Sequence, residues 1–125
     1  MATNSARLIL SISRDERLLR SRQMVLESAG WQVETTTDDM DALRWLGERN
    51  FDVVVIGHSI PYAERVCLAQ KVKIIRPDVP IVMMCIQGDN AFSKEFADAR
   101  VGSLDGPAVL INAIRRVTAR AEKNA

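Results

Sequence analysis

Residues 51–57, FDVVVIG, set four apolar side chains in a row with no polar residue between them. Successive side chains of a strand point to opposite faces, so a strand with one face in water alternates apolar and polar residues. An unbroken, β-branched run predicts instead a strand covered on both faces. Such a strand needs helices above and below its sheet, which restricts the chain to a layered α/β design.

The flanking sequence supplies those layers. RLILSI (7–12) reads as a strand and RDERLLRSRQMVLESAG (14–30) as a helix, with Leu18, Val25, Leu26 and Ala29 on its inner face and Gly30 as its stop. WQVETT (31–36) is a second strand. TDDMDALRWLGERN (37–50) opens with a Thr or Asp cap and acidic residues where the helix dipole favours them, and turns Ala42, Leu43 and Leu46 inward. After the central run, a helix near 64–76 repeats apolar residues at Leu68, Val72 and Ile75 and closes at Arg76-Pro77. IVMMC (81–85) is a fourth strand, a short helix near 90–99 pairs Phe92 with Phe96, and RVGS (100–103) is a short fifth strand. The final helix begins at Gly106-Pro107, with Pro107 suited to its first turn and Val109, Leu110, Ala113 and Val117 on one side. Five strand–helix units with short connections predict right-handed crossovers and a parallel sheet. At 125 residues the chain is expected to be one domain (1–125, core about 7–120), with no output domain after it.

In such sheets function sits at the carboxyl ends of the strands, near the point where strand order reverses. Here those ends are Ser13-Arg14, Gly57-His58-Ser59, Cys85 to Gln87 and Ser103-Leu104. Gly-His-Ser after an apolar run invites comparison with a hydrolase nucleophile elbow. That turn needs a small residue two places after the serine, and a histidine from later in the chain as base. The first place holds Pro61, and the single histidine is His58, whose side chain diverges from its neighbour Ser59. Serine hydrolysis is therefore not expected, and the chain is read as a binding module rather than an enzyme.

The composition narrows the partners. Seventeen basic residues against 16 acidic ones leave no overall field for nucleic acid or anionic lipid. Arg115, Arg116, Arg120 and Lys123 suit the negative end of a helix dipole, and no recognition helix accompanies them. No apolar run approaches the roughly 20 residues that span a bilayer, and no signal peptide is evident. Cys67 and Cys85 lie in apolar sequence without metal-type spacing, which predicts small core residues in a reduced, cytoplasmic protein.

From about Arg7 to Arg120, the phrases LESAGWQVETTTDDMDALRWL, FDVVVIGHSIP, IRPDVPIVMMC and GPAVLINAIRRV stand in an order and spacing that resembles the response-regulator receiver domain of two-component signalling. The resemblance implies a flavodoxin-like, doubly wound parallel sheet of five strands in the order 2-1-3-4-5. In that family the central strand is followed by a phospho-acceptor aspartate. Two acidic residues end the first strand, a Thr or Ser the fourth, and Lys-Pro the fifth. Carboxylates hold Mg²⁺, metal and lysine neutralise the transferring phosphoryl group, and the aspartate attacks it.

This chain departs from the pattern at each of those positions. Ser13 and Arg14 replace the acidic pair, with Asp15 one step late; Gly57 replaces the acceptor, Cys85 the hydroxyl and Ser103-Leu104 the Lys-Pro pair. An aromatic position of the fifth strand falls on Arg100. The resemblance is thus to a degenerate pseudo-receiver with no phospho-acceptor, no metal site and no expected Mg²⁺. The expected function is receiver-like signalling by protein–protein contact, with a partner or a second copy of the chain. Its surface is the family's fourth-helix, fifth-strand, fifth-helix face, here Lys94, Glu95, Asp98, Arg100, Asp105, Arg115 and Arg116. The alternative is a small-molecule or anion sensor in which Arg14 stands in for the metal beside Ser13 and Ser103. Phosphorylation at another residue, His58 or Asp15, is a third reading. His58 is expected as a loop histidine bonded to backbone, Ser59 as a turn or helix-capping hydroxyl, Trp31 and Trp45 as partly buried packing, and Arg22, in the middle of an apolar helix face, as a stem on the sheet with its head surfaced.

Overall fold

The computed structural model describes residues 7–86 and 97–123. The helix expected near 90–99, with Phe92, Lys94, Glu95 and Phe96, lies almost wholly outside them. Five parallel strands, β1 (Leu8–Ile12), β2 (Gln32–Thr36), β3 (Val53–Ile56), β4 (Ile81–Cys85) and β5 (Ala99–Gly102), form one sheet in the order β2-β1-β3-β4-β5. The helices among the described residues are α1 (Glu16–Ser28), α2 (Asp39–Glu48), α3 (Tyr62–Ile75) and α4 (Pro107–Lys123). Strand order reverses between β1 and β3, so the carboxyl ends of those two strands flank the switch point. No helix of the described residues is long and apolar enough to cross a membrane.

The central run behaves as its composition requires. Val53 and Val55 join one apolar layer with Leu26, Ala113, Ile114 and Val117 of α1 and α4. Val54 and Ile56 join the other with Ala42, Leu46, Leu68 and Val72 of α2 and α3. All four side chains are withdrawn from water. At roughly 1.5–3 kcal/mol for each such side chain, this strand is a main source of the sheet's stability.

Helix phases differ from the sequence expectation in places. The buried positions of α1 are Leu19, Arg22 and Leu26, while Leu18 and Val25 are half-buried. Arg22 stands between Leu19 and Leu26 on the inner face, the apolar face on which the sequence places it. In α3 the buried residues are Arg65, Leu68, Ala69 and Val72, with Ile75 and Cys67 exposed. Cys67 is thus no core residue, and Cys85 is half-buried. On α4, Leu110, Ala113, Ile114 and Val117 face the sheet and Val109 faces outward. Trp31 is buried and Trp45 half-buried, as packing residues.

Polar side chains close the ends of the elements. Asp15 accepts hydrogen bonds from Arg17 N and Leu18 N, and Asp38 from Met40 N and Asp41 N, each capping its helix. Asp98 secures the far edge of the sheet. Its Oδ2 accepts from Ile81 N at 2.8 Å, at the start of β4, and from Lys73 Nζ of α3 at 2.9 Å. Replacing it leaves a partly buried strand N–H without an acceptor. Asp98→Ala should therefore lose about 1–3 kcal/mol of stability, read from the shift in urea midpoint at unchanged slope.

Candidate functional site

At the switch point the ends of β1 and β3 nearly touch. Gly57 N donates to Ile12 O at 2.7 Å. A β-carbon at position 57 would stand 2.9 Å from Ser13 Cβ and 3.0 Å from both Ile12 O and Ser13 Oγ. Two of those atoms belong to rigid backbone or to the root of a side chain, so the neighbours cannot swing away. Glycine is here for space: the backbone at 57 is not in the left-handed region, unlike that of Gly30 and Gly106.

The hydroxyls of Ser13 and Ser59 fill the gap that remains. Their oxygens lie 2.5 Å apart; Ser13 Oγ also accepts from Asp15 N at 3.2 Å, and Ser59 Oγ from Arg14 N at 2.9 Å. Ser13 is fully buried and Ser59 partly open. The proton between them therefore belongs to Ser13, because the reverse would leave a buried Ser13 O–H with nowhere to donate. Ser59 then accepts twice and turns its own proton outward. Its hydroxyl ties the β1–α1 loop to the β3–α3 loop, a role the sequence did not disclose. Pro61, not Ser59, is the cap residue of α3.

Arg14 closes the crevice. Its Nη1 donates to Asp39 Oδ1 at 2.8 Å and Thr37 O at 3.3 Å, and its Nη2 to Asp39 Oδ2 at 3.0 Å and Glu64 Oε1 at 3.1 Å. The hydrogen-bonded Asp39 carboxylate, helped by Glu64, holds the guanidinium pKa above its ordinary value against a partial loss of hydration. Both acids lie in the first turns of their helices, where the dipole also favours them. One cation shared by two carboxylates leaves this corner with a net negative charge. Asp15, engaged as the α1 cap, does not turn into the crevice.

Ser103 belongs to another neighbourhood. Its N–H donates to Cys85 O at 2.8 Å, and it lines a cavity with Arg22 between α1 and α4. The structure thus brings Ser13, Arg14, Gly57 and Ser59 together and separates Ser103 from Arg14. Cys85 Sγ accepts from Arg100 Nε at 3.4 Å.

Two buried arginines change the picture further. Arg65, 1% exposed, went unnoticed in the sequence. It donates from Nε to Ile60 O at 2.8 Å and from Nη1 to Met84 O at 2.6 Å, with its guanidinium 5.5 Å from the centre of the Tyr62 ring. Arg22 does not surface its head as expected; it is 9% exposed, and its buried Nη1 has no hydrogen-bond partner among the described residues. Loss of hydration lowers its pKa from the ordinary arginine value, and the charge of Asp15 opposes that shift.

The expected contact surface is only partly free. Asp98 is held by Ile81 and Lys73, Asp105 Oδ2 accepts from Gly102 N at 2.8 Å, and Arg100 is half-buried against Cys85. Lys94 and Glu95 lie outside the described residues. Arg115 and Arg116 are exposed on α4, near the exposed Val109, and Leu104 after β5 is 97% exposed.

With this geometry in hand, comparison with known proteins gives a consistent fold. No family model and no curated protein matches the sequence. Solved structures match over nearly the whole chain. A receiver domain protein (CheY-like) from Methanospirillum hungatei superposes with a TM-score of 0.86 at 23% identity, covering 97% of this chain and 100% of that one. A receiver domain protein from Clostridium thermocellum gives 0.86 at 24% identity, covering 95% and 99%. The response regulator TrrA from Thermotoga maritima, solved in complex with Mg²⁺-BeF, gives 0.77 at 16% identity, covering 89% and 98%. The chain therefore has the fold of response regulator receiver domains.

The contact at the switch point predicts its own cost. Gly57→Ala should lose about 1–3 kcal/mol, as overpacking does. Ser13→Gly in the same chain should restore part of that loss, because it removes the nearest β-carbon. Urea unfolding of the single and double variants measures the coupling.

Proposed function

We propose that this chain is a receiver-like signalling module that works by protein–protein contact and not by aspartyl phosphorylation. The observation that carries the reading is the crowding at Gly57. The position that follows the central strand has no room for a side chain, so the acceptor place is occupied by the packing of β1 against β3. The neighbouring donors do not suit Mg²⁺ either. A hard divalent cation needs several free oxygens. Ser13 Oγ is tied to Ser59 and Asp15, and the nearby carboxylates Asp39 and Glu64 are held by Arg14. Among the described residues, no group of three His, Cys, Asp or Glu side chains is placed to hold a metal.

The alternative, an anion sensor built from Arg14, Ser13 and Ser103, draws less support. Arg14 directs its guanidinium at two acids, and Ser103 stands apart from it. The contact surface is best placed on α4 and the turn after β5, where Arg115, Arg116, Val109 and Leu104 offer basic and apolar groups to an acidic partner or a second copy.

Two experiments test these points. Incubation with acetyl phosphate and Mg²⁺ should leave the intact mass unchanged; a stoichiometric phosphoryl adduct would overturn the phosphorylation-independent reading. Charge reversal of Arg115 and Arg116 to Glu should abolish capture of the partner, or dimer sedimentation, with the circular dichroism spectrum unaltered. A doubly reversed chain that binds and sediments like the original would move the interface elsewhere.

A further inference from the structure

A buried arginine without a counter-ion is an unusual thing for a chain to retain. Removing a charge from water is costly, and the arrangement persists in proteins when an ion or hydrogen-bond partner meets it. Arg22 lies on the inner face of α1 and is 9% exposed, with Nη1 buried and unpartnered among the described residues. Among the described residues, no carboxylate lines the cavity it faces. Asp15 acts on it through space, but its oxygens accept from the amides of Arg17 and Leu18.

Arg22 lines a cavity of about 230 Å³ between α1 and α4, where it is the single charged residue among the described ones. Leu18, Val25, Met84 and Leu110 make apolar walls. Ser21 and Ser103 add hydroxyls, and Gly106 and Pro107 bring the first turn of α4 to the rim. That helix has 17 residues and starts at Pro107 after a glycine, so no side chain of the preceding residue satisfies its first amides. Its positive end adds to the field of Arg22, and the two act in the same sense on an anion. The mostly apolar walls discriminate between anions. A bare phosphate would lose its hydration to hydrocarbon, whereas a carboxylate on a short hydrocarbon body fits both the charge and the walls.

We propose that the α1–α4 cavity is a binding site for a small organic monocarboxylate, with Arg22 receiving the carboxylate and the walls holding its apolar body. The site lies apart from the Gly57 crevice and does not depend on the signalling role proposed above.

Calorimetric titration of the whole chain with acetate, butyrate and inorganic phosphate tests it, with thermal unfolding alongside. Butyrate should bind about tenfold tighter than acetate, since each added methylene contributes roughly threefold to fourfold when buried. Phosphate should bind more weakly than butyrate. Arg22→Met keeps the stem but removes the charge, and should weaken butyrate binding by about tenfold or more. It should also raise Tm in anion-free buffer, because it removes an uncompensated buried charge. Arg20→Met, the same change on the exposed side of the helix, should leave binding as it was. No butyrate binding, binding that survives Arg22→Met, phosphate binding tighter than butyrate, or a lowered Tm in Arg22→Met would each overturn the proposal.

Discussion

The approach of β1 to β3 governs what this molecule can carry at its switch point. Parallel pairing sets Ile12 opposite Ile56, so the residues that follow, Ser13 and Gly57, meet edge to edge. With no side chain at 57, the two strand ends close until a hydroxyl pair is all that fits between them. The loops then have fixed paths. Ser59 is held to the Arg14 amide, which aims the Arg14 side chain at the first turns of α2 and α3. A glycine, two serines and an arginine thus form one interdependent set, in which the missing side chain determines the position of the others.

The electrostatics follow from that path. A guanidinium is planar and permanently charged, and it meets Asp39 with two parallel hydrogen bonds while reaching Glu64 with the second nitrogen. Half-exposed ion pairs of this kind contribute little to global stability. Their effect is local: they bring the amino ends of two helices to a common point above the sheet and give that end of the molecule a fixed surface.

Much of the fold was legible because its signals are short-range and redundant. The β3 run, the stops at Gly30 and Arg76-Pro77, and Pro107 in the first turn of the last helix each mark an element from a few residues. The glycine at the end of the central run was legible for the same reason. Its physical cause was not, since the 2.9 Å at which an added β-carbon would meet Ser13, 44 residues away in the chain, depends on strand register. Helix faces read from apolar residues do not show where a guanidinium ends, so the two buried arginines were the least legible part of the core. Arg22 falls on the inner face of α1 as its spacing implies, but its head stays buried, and Arg65 stands on the buried face of α3 with no apolar signal to mark it. What satisfies Arg65 is a pair of backbone carbonyls, which carry no sequence signature at all. Asp98 and Asp105 misled in the opposite direction, looking like free surface charges when their oxygens serve backbone amides of β4 and β5.

Arg65 has a mechanical consequence. From α3 it reaches Ile60 in the loop beyond β3 and Met84 near the end of β4, so one stiff, planar group joins the rims of two adjacent crossover units. Neither rim can swing without breaking a charge-assisted hydrogen bond in a dry interior, where its loss is least compensated. The two loops therefore share a single opening free energy instead of having one each. A switching protein needs that rim to have two arrangements of similar energy. Here Arg65 ties the loop beyond β3 to the end of β4, so any second arrangement of this rim must first release both carbonyls.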